Sequence, residues 1–101
     1  MRIQTMVIGS CTLELYLPGI QSLKEKRSCI KSLISRVHRE FNVSAAEVDL
    51  QDVWQSATVG MAVVSNSADH AEKMLEAVCG WIERNRPDIT IIEAVIEVVH
   101  V

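Results

Sequence analysis

The sequence predicts an α+β domain whose elements follow the order strand, helix, strand, strand, helix, strand. Three segments show the alternation with a period of two that is typical of strands, and a fourth segment is apolar on both faces, as expected of a central strand. Two others repeat apolar residues at helical spacing, and each begins beside a Ser or Asn that can cap a helix. Two right-handed strand–helix–strand units in this order predict a ferredoxin-like βαββαβ sandwich, a four-stranded antiparallel sheet with two helices on one face.

The first strand is predicted over residues 5–17, and Pro18-Gly19 ends it. One alternating set of its side chains is apolar and should be buried, whereas the other set is mixed. The buried set comprises Val7, Gly9, Cys11, Leu13, Leu15 and Leu17.

The first helix is predicted from Leu23 to Phe41. Ser22 and Glu25 have the spacing of a capping box, and Asn42 is a plausible left-handed stop. At about 100° per residue, one stripe of the helix is apolar and should face the core. Its members are Leu23, Ile30, Leu33, Ile34, Val37 and Phe41.

Two further strands are predicted over residues 43–51 and 55–65, the second of them central because both of its faces are apolar. In the first of these strands, one alternating set should point inward, namely Ala46, Val48 and Leu50. The other set should point outward, namely Glu47, Asp49 and Gln51.

The second helix is predicted to begin at a cap formed by Asn66 or Ser67 and to end near Asn85. Trp81 lies beside its apolar stripe, which favours packing over ligand binding. The last strand is predicted over residues 88–101. Its inward set is Ile92, Ala94, Ile96 and Val98, and its other set is Glu93, Val95, Glu97 and Val99.

Length and composition predict a single domain over residues 1–101, with residues 1–5 as a loose N-terminal extension. The chain is 49% hydrophobic, which argues against disorder, and its net charge of −3 disfavours general coating of nucleic acid. Three well-separated cysteines without metal-ligand spacing favour reduced thiols in a cytoplasm. No segment predicts a signal peptide or a membrane span.

Positive charge is concentrated in the first helix, which carries six of the ten Lys and Arg residues. Several of these lie on one side, together with His38, and could contact phosphate or an acidic protein surface. The Lys26 side chain should run along the edge of the core with its ammonium group in water. The candidate binding residues are Lys24, Lys26, Arg27, Lys31, Arg36 and Arg39. The alternative is an ordinary solvated helix face, since Glu25 and Glu40 share the helix.

The sheet face without helices offers a second candidate surface. It should combine Ile8, Ser10, Thr12, Glu14 and Tyr16 with Glu47, Asp49, Glu93, Val95, Glu97 and Val99. The central strands lack the stacking aromatics of RNA-recognition motifs, and carboxylates would repel phosphate, so base recognition on this face is excluded. The apolar members could instead pair two copies in a symmetric dimer, the alternative being a wet sheet face. Candidate interface residues are Trp54, Tyr16, Val95 and Val99.

No catalytic constellation is recognised. The three histidines are not placed with a nucleophile and an acid, and the four glycines form no phosphate-cradling loop. Acylphosphatases share the element order, but their Gly-rich loop and following Arg have no match after the first strand. The sequence therefore indicates a non-enzymatic protein, and it selects no metal, cofactor or small-molecule ligand.

Short segments along the chain resemble the YlxP-like family of small bacterial proteins of unknown function. They are Met6 to Gly9, Ser22 to Arg27, Phe41 to Ser44, Ala46 to Val48 and Asp52 to Gln55. The Ser-Leu-Lys-Glu-Lys-Arg stretch is the most specific of these. The resemblance implies a ferredoxin-like fold, a bacterial cytosolic setting and gene neighbours that serve translation initiation and ribosome maturation. It supplies no catalytic residues.

The leading hypothesis is a non-enzymatic accessory factor that binds RNA or a ribonucleoprotein such as the ribosome through the basic helix. The alternative is a homodimeric interaction or regulatory module that uses the open sheet face and binds no nucleic acid. A small-ligand sensor at a dimer seam is a third hypothesis, for which no residue selects a ligand.

Overall fold

The computed structural model describes residues 5–101 and confirms the predicted order of elements. The elements are β1 (Val7–Tyr16), α1 (Leu23–Glu40), β2 (Ser44–Asp49), β3 (Ser56–Ser65), α2 (Ala68–Asn85) and β4 (Thr90–His100). The strands form one antiparallel sheet in the order β2-β3-β1-β4. The predicted loose extension lies outside the described residues, apart from its last member, Thr5.

The core lies between the sheet and the two helices, and β1 runs through its centre. The predicted inward set of β1 is buried throughout. At Gly9 the strand lies close to α2, because a Cβ there would be 3.1 Å from both Ala71 Cβ and Leu75 Cδ1. The absence of a side chain at this position therefore lets α2 pack directly on the sheet.

The helix starts follow the predicted capping residues. Ser22 Oγ accepts a hydrogen bond from the Glu25 backbone N–H at 3.1 Å, which satisfies one free donor of α1. The Glu25 carboxylate accepts from the Gln21 N–H instead of closing the box on Ser22. Ser67 caps α2 in the same way.

The predicted left-handed stop at Asn42 is wrong. The α1 helix ends at Glu40, and its C-cap residue Phe41 has an extended backbone and donates its N–H to the Val37 carbonyl. Among the non-glycine residues in the described part of the chain, Leu50 alone has a positive φ, of 62°. The left-handed residue therefore lies in the β2–β3 loop, where the chain reverses.

The predicted faces of β2 are also reversed. Ala45 packs against the core and Glu47 pairs with a helix residue, whereas Ala46 lies opposite Gly60 on the open face. Val48 is exposed, and its Cγ1 would lie 3.1 Å from a Cβ at Gly60. The physical reason is a polar contact inside the fold, described below, that draws the Glu47 carboxylate toward the helices.

The predicted faces of β4 hold from Glu93 onward. Val95 lies beside Thr12, and Val99 lies beside Ile8, both on the open face. A register shift at the other end places Ile91 opposite Leu15. The shift leaves Ile92 61% exposed, so its predicted inward position is wrong. No helix within residues 5–101 is long and apolar enough to cross a membrane.

Candidate functional site

Four exposed cations of α1 form what we call the cationic ridge, which consists of Lys24, Arg27, Lys31 and Arg39. The ion pairs among the described residues involve other Lys and Arg side chains, so no described carboxylate lies within salt-bridge distance of the ridge. Unpaired charges on one side of a helix create a local positive potential on a chain that is acidic as a whole.

A groove of about 500 Å³ lies between α1 and the edge strand β2. It is lined by Arg27, Ile30, Lys31, Ile34, Ser35, His38 and Glu47. The two isoleucines give it an apolar surface, and two ridge cations stand at its border. The groove therefore places charge and apolar surface side by side.

His38 links the C-terminal turn of α1 to the sheet edge. Its Nε2 accepts a hydrogen bond from the Ala45 backbone N–H at 3.2 Å. This bond fixes the imidazole ring in the groove and satisfies a donor that an edge strand would otherwise expose.

Lys26 differs most from its predicted position. It is fully buried, its Nζ donates to the Leu50 carbonyl, and Nζ lies 2.9 Å from Glu47 Oε2. The expected solvated ammonium is therefore wrong, and Lys26 cannot reach a phosphate on the surface. Helical spacing does place it in the buried stripe, between Leu23 and Ile30, but a lysine there usually extends to water unless a buried acid pairs with it.

Arg36 is half-buried on the side of α1 that faces α2. Its guanidinium carbon lies 4.9 Å from the centre of the Trp81 ring, a cation–π geometry. Trp81 also contacts Phe41 edge-to-face, with ring centres 6.3 Å apart. Trp81 therefore has the packing role that was predicted, and the structure places it between the two helices. Arg36, a predicted binding residue, is separate from the cationic ridge.

The four candidate interface residues are all exposed but do not form one patch. Tyr16 lies opposite Thr90 at one end of β4, whereas Val99 lies near the other end. Trp54 is in the β2–β3 loop, 51% exposed. A more compact group was missed in the sequence: Val64 and Val99 flank Ile8 on neighbouring strands.

The three thiols are free; Cys11 is buried, and Cys29 and Cys79 are half-buried. A hydrogen bond with Cys79 and burial raise the pKa of Cys11, and the same hydrogen bond lowers the pKa of Cys79. Burial raises the pKa of Cys29, beside the Arg86–Asp88 ion pair. The Arg86 guanidinium in turn lowers the pKa of the Asp88 carboxyl. No cluster within residues 5–101 has the three His, Cys, Asp or Glu ligands needed to hold a metal.

Comparison with known proteins identifies the family to which this chain belongs. The model of a family described as "Protein of unknown function (DUF503)" matches residues 8–96. The chain belongs to the DUF503 family. This DUF503 chain is also 40% identical over 77 residues to "Uncharacterized protein YlxP" of Bacillus subtilis (strain 168), which covers 76% of this chain and 84% of that protein. The predicted YlxP-like resemblance is thereby confirmed.

The solved structures include one with a similar backbone, "De novo designed protein Foldit4". The match has a TM-score of 0.53 and covers 93% of this chain and 96% of the designed chain. The two sequences are only 15% identical, so the likeness shows the fold alone.

Proposed function

We propose that this DUF503 protein is a non-enzymatic accessory factor that binds RNA or a ribonucleoprotein through the cationic ridge. The observation that supports the proposal most is the exposure of four ridge cations without described acidic partners. Ribosomal RNA is the first target to test, because the YlxP-like resemblance implies a translation-linked setting.

The proposed contacts are fewer than the six cations of α1 would allow. Lys26 is buried, and Arg36 lies on Trp81, so phosphate contacts are assigned to Lys24, Arg27, Lys31 and Arg39. For single-stranded RNA, four such contacts correspond to a slope of about −3 in log affinity against log salt. A measured slope near this value would indicate that the ridge acts as a unit.

Charge reversal of the ridge provides the direct test. The variant Arg27→Glu/Lys31→Glu should bind ribosomal RNA or small ribosomal subunits at least about tenfold more weakly at low salt, because two attractive contacts become repulsive. Binding can be measured by fluorescence anisotropy with labelled RNA and by co-sedimentation with subunits.

The matched control is Lys73→Glu/Arg84→Glu, which alters two exposed cations of α2 and lowers the net charge equally. This control should bind nearly as well as the unaltered protein. Equal losses in the two variants would show that net charge alone controls binding. Full binding by the ridge variant would refute the assignment of the site.

A second candidate function is a homodimeric interaction module. It is favoured by the apolar row of Val64, Ile8 and Val99 on three adjacent strands of the open face. Val64 and Val99 are 66% and 55% exposed, so a second copy could bury them. Glu14 and Glu93 lie at the opposite end of the face, where they would stay in solvent.

This alternative predicts a dimer at micromolar concentration that Val99→Asp converts to monomer, because the new carboxylate would be buried against an apolar surface. Sedimentation velocity measures the change. Val53→Asp serves as the control, since Val53 is exposed in the β2–β3 loop. A monomer at every accessible concentration would remove the candidate.

A further inference from the structure

The groove between α1 and β2 has the dimensions and surface of a site for a small planar group. Its volume of about 500 Å³ falls within the usual range of ligand pockets, about 300–1,000 Å³. Ile30 and Ile34 offer apolar surface on which the face of a base could lie. The His38 ring, held by the Ala45 N–H, adds a fixed aromatic plane of the kind on which unpaired RNA bases stack.

Two cations of the groove lining could contact the RNA phosphates on either side of such a base. Arg27 and Lys31 belong both to the groove lining and to the cationic ridge. A guanidinium can contact a phosphate through two parallel hydrogen bonds, and an ammonium can contact the next one as a point charge. A strand bound along the ridge would therefore pass the mouth of the groove.

Glu47 gives the groove its selectivity. It is the acidic member of the lining, and Lys26 fixes its carboxylate through Oε2. Its Oε2 is buried, but the side chain is 17% exposed and lines the groove, so a base would approach the carboxylate at Oε1. An ionised carboxylate only accepts hydrogen bonds, so it pairs with a base amino group, as Glu and Asp do with the amino group of cytosine.

From these contacts we infer that the groove holds one unpaired base of single-stranded RNA and prefers a base that carries an exocyclic amino group. The inference rests on the proposed function and specifies the ligand of that site. Uracil is disfavoured because its two carbonyl oxygens flank the ring N–H and would face the Glu47 carboxylate.

Other occupants fit the groove less well. A peptide strand added to the β2 edge would need the Ala45 N–H, which already bonds to His38. An acidic peptide could pair with the ridge cations but would bring its carboxylates close to Glu47. A nucleotide, by contrast, combines an anionic backbone with hydrogen-bond donors on its base.

The test removes a single amino group from the RNA and leaves the protein unaltered. Fluorescence anisotropy would compare labelled oligouridines of about ten nucleotides, a length that spans a typical single-strand site. One carries a central adenosine, one a central purine riboside that lacks only the 6-amino group, and one uridine throughout. We expect the adenosine strand to bind about tenfold more tightly than the other two, the effect of one hydrogen bond to a charged group.

A variant of the protein then tests whether the adenosine preference arises in the groove. Ser35→Leu fills the groove from an exposed helix position without changing charge, so it should abolish the adenosine preference and retain the salt dependence. Ser32→Leu, at an exposed position outside the groove lining, is the matched control and should retain the preference.

The outcomes separate the inference from the proposal on which it rests. Equal, salt-dependent binding of all three strands would overturn the groove inference and leave ridge binding in place. An adenosine preference that survives Ser35→Leu would also overturn it. Absence of binding to any strand, to ribosomal RNA and to subunits would overturn both.

Discussion

Replacing Lys26 with methionine is expected to lower the free energy of unfolding by about 3 kcal/mol, the lower end of the cost of breaking a buried ion pair. Methionine fills the volume but leaves Glu47 without its cation and the Leu50 carbonyl without the Nζ donor. Glu47 is 17% exposed as a side chain, so its carboxylate is not fully enclosed, which favours the lower end of that range although Oε2 itself is buried. Urea denaturation followed by circular dichroism measures the change.

The control is Lys24→Met, which removes an equal charge from an exposed position and should cost no more than about 0.5 kcal/mol. A second variant, Lys26→Met/Glu47→Leu, replaces both partners with apolar groups and should recover much of the loss. If Lys26→Met and Lys24→Met were equally stable, the buried pair would not contribute to the fold.

The six residues from Ser22 to Arg27 thus combine three roles at the start of α1. Ser22 caps the helix, Lys26 joins α1 to β2 and the following loop, and Lys24 and Arg27 remain free on the surface. Because Lys26 positions Glu47, it also shapes the groove. Its effect on RNA binding should therefore be judged only in variants that remain folded.

Long periodic elements were predictable from sequence because their patterns repeat often enough to fix a face. The alternation of β1 and the apolar stripe of α1 correctly predict which side of each element faces the core. The exception is Lys26, whose ammonium group was expected in water but is buried. From the orientation of α1 follows the position of Lys24, Arg27 and Lys31 on one side. Four of the six predicted binding residues accordingly lie on the cationic ridge, whereas Lys26 is buried and Arg36 packs on Trp81. The ligand of the ridge could not be predicted.

Short and irregular segments were not predictable in the same way. The strand β2 has six residues, and its apolar alternation favours Ala46 and Val48 as the inner set. A contact with Lys26 in another element outweighs that pattern and turns Glu47 inward. The groove could not be foreseen, because its wall depends on this reversal.

The β4 error has a related origin. Strict alternation assigns Ile92 to the core, but the register shift opposite Glu14 and Leu15 adds one residue to β4. Local sequence does not distinguish Ile91 from Ile92, so pairing with β1 decides which one is buried.

The second large effect is expected at Gly9, where the core has no room for a side chain. Replacement with leucine should lower the free energy of unfolding by at least about 3 kcal/mol, the upper range for overpacking a core. Even a Cβ would lie 3.1 Å from Ala71 and Leu75 and 3.2 Å from Val63 Cγ1. Larger atoms would therefore force α2 away from the sheet.

The substitution Gly9→Ala adds only one methyl group. Whether it raises or lowers the free energy of unfolding is a sharper test of this packing than the size of the change. No described glycine has a positive φ, so alanine is compatible with the backbone at Gly9 and at Gly19. At Gly19 nothing lies within 4 Å of an added Cβ, and alanine should be neutral or stabilise by up to about 1 kcal/mol through the unfolded chain. At Gly9 the crowding should exceed that gain and make Gly9→Ala destabilising. Urea denaturation of the two variants compares them directly, and a Gly9→Ala protein as stable as Gly19→Ala would show that α2 can shift to accept the methyl group.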